Sequence, residues 1–289
     1  MKRFFLTTGT GALIIAMGAC ASQGDSATSP KTANFQVTAV DSALIAVHAS
    51  ADATISDVNV LNGVSSTMGW SLDNAPSGIS MSFVAPAAPS STSGPGTGCT
   101  LNAADGRFDC PPQINANGVT VVRSLAFFDA SGAQMNHFDS TTASMNVQST
   151  EHGVIPGAAG ADTVSGSRNL TATGLLGHNT TRTWNGTGSG THGAFWSDSA
   201  ASRTADVSFN STFSNVVVAL PRLSNPYPVS GGISRVVTGS GVVTKGDSTK
   251  TVTISRTVGI TFNGTEFVPM TVGSLNYTLD LATGKATKN

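Results

Sequence analysis

Residues 252–262 read VTISRTVGITF, and Val252, Ile254, Val258, Ile260 and Phe262 fall at alternate positions with Ser, Thr and Gly between them. Side chains on a strand alternate between two faces, so this period of two predicts a strand with one buried side. Asn263-Gly264 follows at once, a dipeptide that accepts the positive φ angles of a two-residue hairpin turn. Pro269 has no amide hydrogen to give a ladder, which confines the returning strand to an edge or a bulge. Leu275, Tyr277, Leu279 and Leu281 then alternate again. The region is predicted to be an antiparallel β-meander, closed as a sandwich or as an open barrel.

Upstream, Ser167-Arg168, Thr181-Arg182, Ser202-Arg203, Ser234-Arg235 and Ser255-Arg256 each lie in or before a candidate strand, at irregular spacing. No fixed-period repeat results. Each arginine is expected to be solvated with its stem over apolar surface; the sharper alternative is a ligand-facing polar row, with Arg182, Arg235 and Arg256 as its candidates. Trp184 and Trp196 share this third of the chain with Phe195 and Phe209. They fill a sheet core, or else stack on the apolar face of a sugar ligand.

The meander is assigned to a C-terminal domain, 151–289, because Gly and Pro interrupt all periodicity between Glu151 and Gly160. Residues 34–150 are read as a smaller, mixed and mostly β domain. Gly118–Ser140 predicts two strands around a turn at Asp129-Ala130-Ser131-Gly132. The alanine-rich stretch from Ala43 to Gly63 predicts one or two short helices, with Thr54 and Asp57 at capping-box spacing. Val84–Gly98, rich in Pro, Gly and Ser, reads as a loop.

The chain has 289 residues, and 36 Ser, 37 Thr and 32 Gly make up more than a third of it. Only 11% are charged, with a formal net charge of −1, whereas ordinary domains carry about 25%. A surface that reads phosphates needs clustered cations, so nucleic acid is excluded as a partner. No cofactor or metal site is predicted. Gly188-Ser189-Gly190-Thr191-His192-Gly193 matches the dinucleotide fingerprint in letters, but no helical pattern follows it. Gly246-Asp247-Ser248 reads as a hairpin turn. His48, His137, His152, His178 and His192 show no metal-ligand spacing; His137 with Asp139, and His178 with His192, are the pairs that strand geometry could bring together.

The first twenty residues locate the protein. Lys2 and Arg3 precede the apolar run Ala12–Met17, too short for a membrane span of about 20 apolar residues and suited to a cleaved leader over 1–19. Met17-Gly18-Ala19-Cys20 resembles the lipobox of bacterial lipoproteins. That resemblance implies cleavage before Cys20, acylation of its sulfur, and a membrane anchor without a spanning helix; Ala21, in place of Asp, implies the outer membrane of a Gram-negative cell. Residues 20–33 are small and polar and form a flexible tether. The resemblance leaves Cys99 and Cys110 as a pair in an oxidising compartment, facing each other across a hairpin that turns at Ala103–Gly106. The function expected on this reading is a non-catalytic structural or binding role at the cell envelope. The alternatives are a β module for a hydrophobic or carbohydrate ligand, and an extracytoplasmic hydrolase.

Overall fold

The computed structural model describes residues 39–67, 99–114, 118–157, 160–177, 179–197, 200–220 and 224–289. Cys20, the tether 20–33, the loop Val84–Gly98 and His178 lie outside the described residues. One helix, α1 (Ala39–Thr67), is followed by β1 (Thr100–Asn102), β2 (Arg107–Ile114), β3 (Thr120–Asp129), β4 (Gln134–Met135), β5 (Thr142–Gly157), β6 (Gly160–Thr173) and β7 (Thr181–Ser197). Then come β8 (Ser202–Ala219), β9 (Ser230–Lys245), β10 (Ser248–Thr261), β11 (Phe267–Val272), β12 (Leu275–Asp280) and β13 (Ala286–Lys288). All the strands belong to one antiparallel sheet in chain order, with β4 paired to β3 beside the main path. Among the described residues no pairing joins β1 to β13, so the sheet is open.

The predicted alternation is present. Val252, Ile254, Val258, Ile260 and Phe262 are buried, as are Tyr277, Leu279 and Leu281. The turns follow the local chemistry: Gly106, Gly132 and Gly246 all take positive φ, and Lys245 pairs directly with Ser248 across Gly246-Asp247. Asn263-Gly264 does not close a two-residue hairpin. β10 ends at Thr261 and β11 begins at Phe267; the Asn263 side chain accepts from the Thr265 amide at 3.0 Å, and the Gly264 amide donates to Pro228 O at 2.9 Å. Pro269 pairs with Thr278 of β12, whereas the ladder to β10 stops at Met270, as a residue without an amide hydrogen requires.

The division expected near residue 150 is not seen. β5 runs through it, and Gly157 pairs with Gly160 at the tip of the β5–β6 hairpin. Glycine and proline mark a turn and a close approach here: a Cβ on Gly153 would stand 2.8 Å from Val119 Cα. The described residues all fall in one unit.

The N-terminal helical stretch is one continuous 29-residue helix, with no Gly or Pro before Gly63 to break it. It is buried around almost its whole circumference, with Ala43, Ile45, Ala46, Val47, Ala49, Ser50, Ala51, Ala53, Thr54 and Asp57 all withdrawn from solvent. Beyond the first turn, among the described side chains, only a narrow stripe with His48, Asp52 and Asn59 is exposed to solvent, and a helix covered on its other sides lies inside something. Here that is the sheet, because α1 touches Glu151 of β5, Arg168 of β6, Arg235 of β9, Arg256 of β10 and also β13. Laid flat, β5 to β13 would span about 38 Å at the usual strand spacing, against about 10–12 Å for a helix with its side chains. The sheet must therefore curl around α1, and the helix supplies the other half of its core.

Candidate functional site

Register places six inward positions in one row across the sheet: Arg123, Ser149, Arg168, Gly188, Ser211 and Arg235. One or two small residues separate each arginine from the next, which leaves room for guanidinium groups under the helix. Asp57 of α1 bridges two of them, accepting from Arg168 Nε at 2.5 Å through Oδ1 and from Arg235 Nη2 at 2.5 Å through Oδ2. Arg168 Nη1 stands 2.9 Å from Glu151 Oε1, and Ser56 Oγ donates to Glu151 Oε2 at 2.6 Å. Arg235 Nη1 donates to Ser50 O and Thr54 Oγ1, and its Nε donates to Ser211 Oγ. Its Cζ lies 5.3 Å from the centre of the Phe209 ring, close enough for a cation–π contact.

Burial pulls the Arg235 guanidinium below its ordinary range, with Asp57 opposing and Arg168 reinforcing the fall. For Arg168 burial acts the same way, but Asp57 and Glu151 together outweigh it and raise the group. Opposite charges packed this closely at low dielectric depend on one another, so removing one strands its partners. Near the start of α1, Arg203 Nη2 lies 3.4 Å from Asp41, and Arg256 donates to Ser42 Oγ and Ala39 O.

The expected solvation of the arginines therefore does not hold for Arg168, Arg182, Arg203 and Arg235, which are buried. Of the row candidates Arg182, Arg235 and Arg256, only Arg235 lies in the inward row, together with Arg123 and Arg168, and α1 covers Arg168 and Arg235 there. Arg182 donates through Nη1 to the carbonyls of Gly174, Thr181 and Asn179; Arg256 is half-buried. Trp184 is 1% exposed and part of the apolar core. Trp196 pairs with Arg203 in the β7–β8 ladder; its side chain lies outside the described residues. Cys99 and Cys110 form a disulfide at the base of the β1–β2 hairpin, where Asn102 pairs with Arg107 around Ala103–Gly106.

Sequence reasoning missed the acids that hold the arginines. Thr54 and Asp57 lie in mid-helix and do not cap it: Thr54 Oγ1 donates to Ser50 O at 2.6 Å. Positions i and i+3 share a helix face, so capping-box spacing and a same-face polar pair look alike in one dimension. The glycines of the false fingerprint are steric. A Cβ on Gly190 would stand 2.5 Å from Ser165 O and 2.6 Å from the Phe209 ring, and one on Gly188 would press on Arg168 Cγ at 3.3 Å.

His192 of β7, buried, lies 3.7 Å from the half-exposed Asp52 of α1. Burial raises the Asp52 carboxyl, His192 lowers it and Asp162 raises it. His137 and Asp139 meet at 3.0 Å on the surface. Among the described residues no group of three metal-ligating side chains converges.

On the opposite face the same strands carry an open groove of 670 Å³. Its floor is the backbone of Arg123, Ser149, Arg168, Gly188 and Ser211, whose side chains point the other way. One wall is the rank Val122, Thr150, Ser167, Ser189 and Asn210; the other is Asp109, Ser124, Gln148, Asn169, Thr187 and Thr212. Ser167 and Ser189 hydrogen-bond to each other at 3.0 Å. The row that anchors the helix inside thus lies under the groove outside. Compared with known proteins, the chain matches no family model, no curated protein and no solved structure.

Proposed function

We propose that this protein is an exported, non-catalytic binding module of the cell envelope, attached through an acylated Cys20 and most at home on the outer membrane of a Gram-negative cell. The leader and the Met17–Cys20 motif support the attachment. One observation supports the binding role above others: Arg168, Glu151 and Arg235 of the inner face are engaged by α1, which leaves the groove of hydroxyls and amides on the outer face to meet a partner. Stable anchoring takes more than one acyl chain, at about 0.8 kcal/mol per buried CH₂, so the tether needs no spanning helix.

Palmitate labelling with fractionation tests both parts. The wild-type chain is expected to carry label and to sediment with washed envelopes; Cys20→Ala is expected to lose the label and still be retained in part by its folded portion. Label kept by Cys20→Ala would remove the lipid anchor from that residue. Complete release of the unlabelled variant would make the tether its only attachment and overturn the binding role.

A further inference from the structure

We infer that the outer groove is a binding site for a linear, uncharged polysaccharide lying across the strands of β3, β5, β6, β7 and β8. The inference rests on the binding-module reading and gives it a ligand.

The first argument is chemical. The walls are hydroxyls and amides, with one carboxylate, Asp109, at the β2 end and one apolar side chain, Val122. Of the arginines in the floor, Arg168 turns inward to Asp57 and Glu151, and Arg123 donates to Gln113 Oε1 at 3.1 Å. No guanidinium or ammonium therefore faces the groove to hold a phosphate or sulfate, and the walls lack the apolar surface an acyl chain needs. Hydroxyl and amide side chains both donate and accept, and a sugar hydroxyl does the same. Gln148, Thr150, Thr187, Asn210 and Thr212 are exposed, and among the described residues their side chains make no hydrogen bond, so a ligand can pair with them without displacing a protein contact.

The second argument is geometric. The walls are in register, so equivalent groups repeat at the strand spacing of about 4.8 Å, and the two ranks stand about 7 Å apart, two residues along each strand. A β-linked hexose chain advances by nearly the strand spacing per sugar. Laid along the groove it offers one residue to each strand, whereas a branched glycan cannot keep both ranks in reach. An extended peptide pairs with a sheet edge and not with its face. The floor is held from behind by the salt-bridged row on α1, so little order remains to be imposed on binding, and preorganisation lowers that cost.

Affinity electrophoresis of the detergent-solubilised full-length protein tests this, in native gels containing a soluble β-1,4-linked glucan, a branched neutral dextran or an anionic polyuronate. Retardation is expected in the glucan alone. Ser189→Trp places a ring in the groove at an exposed strand position and is expected to weaken retardation by about tenfold or more, the equivalent of one or two lost hydrogen bonds. Ser240→Trp, exposed on β9 away from the groove, is expected to leave it unchanged; circular dichroism confirms that both variants fold. Equal retardation of Ser189→Trp would move the site out of the groove while leaving a binding module. Retardation by the dextran or the polyuronate and not by the glucan would overturn the linear, uncharged ligand. No retardation in any gel would overturn the inference as a whole, and the envelope-retention experiment would then judge the binding role separately.

Discussion

Arg235 of β9 and Asp57 of α1, 178 positions apart in the chain, meet at 2.5 Å with both side chains out of solvent. A buried ion pair contributes little over a well-packed apolar pair, but removing one partner leaves the other stranded. What the pair contributes is position: Asp57 reaches both Arg168 and Arg235 only when α1 sits at one depth and one rotation in the curled sheet.

Asp57→Ala is accordingly expected to destabilise the protein by about 3–5 kcal/mol, because it leaves Arg168 and Arg235 buried without their shared carboxylate. The triple change Asp57→Leu, Arg168→Met and Arg235→Met is expected to recover most of that loss. Urea unfolding of the three proteins checks it; a triple variant no more stable than Asp57→Ala would show that the charges themselves stabilise the core.

Gly190→Ala is expected to cost roughly 1–3 kcal/mol, as overpacking does. The new methyl would meet a backbone oxygen of β6 as well as the Phe209 ring. Phe209→Leu in the same chain relieves only the ring contact, so the double variant should regain part of the loss in thermal unfolding and not all of it.

Reduction of Cys99–Cys110, or Cys110→Ser, is expected to lower stability by about 2–3 kcal/mol on the chain-entropy account of a short closed loop. The loss should appear as a lower unfolding midpoint of the reduced protein in denaturant. The hairpin lies at the β1 end of the sheet, so retardation by the glucan should survive reduction under native conditions.

Stability should also depend on Asp52. Its carboxyl is raised by burial and by Asp162, against His192. An acid whose folded value lies above its unfolded one binds its proton more tightly when folded, so its contribution is complete below the ordinary carboxylate range and is lost as pH rises through the raised value. Asp52→Asn is expected to be at least as stable as wild type near neutral pH, with the advantage shrinking as pH falls through the raised value and gone below the ordinary carboxylate range of about 4. Thermal unfolding across that range measures it; an advantage for wild type near neutral pH would show that the ion pair with His192 dominates.

The β-meander was legible because strand alternation and turn chemistry are local. Val252–Phe262, Leu275–Leu281, Asp105-Gly106 and Gly246-Asp247 each carry their own instruction within a dozen residues. The candidate groove was not legible at all, since its walls are ordinary Ser, Thr, Asn and Gln positions that matter only once register aligns five strands.

The sequence by itself determined that the chain would form antiparallel strands, where the β1–β2, β3–β4 and β9–β10 hairpins turn, and which cysteines face each other. Only the tertiary structure decided that there is one sheet and not two domains, that the helical stretch is a single buried helix, and that the row is filled from within by Asp57, Ser50 and Thr54. The physical reason is range. Backbone preferences and side-chain alternation act between neighbours, whereas a buried charge finds its partner through the curvature and register of a sheet: Arg168 and Arg235 lie 111 and 178 positions from Asp57.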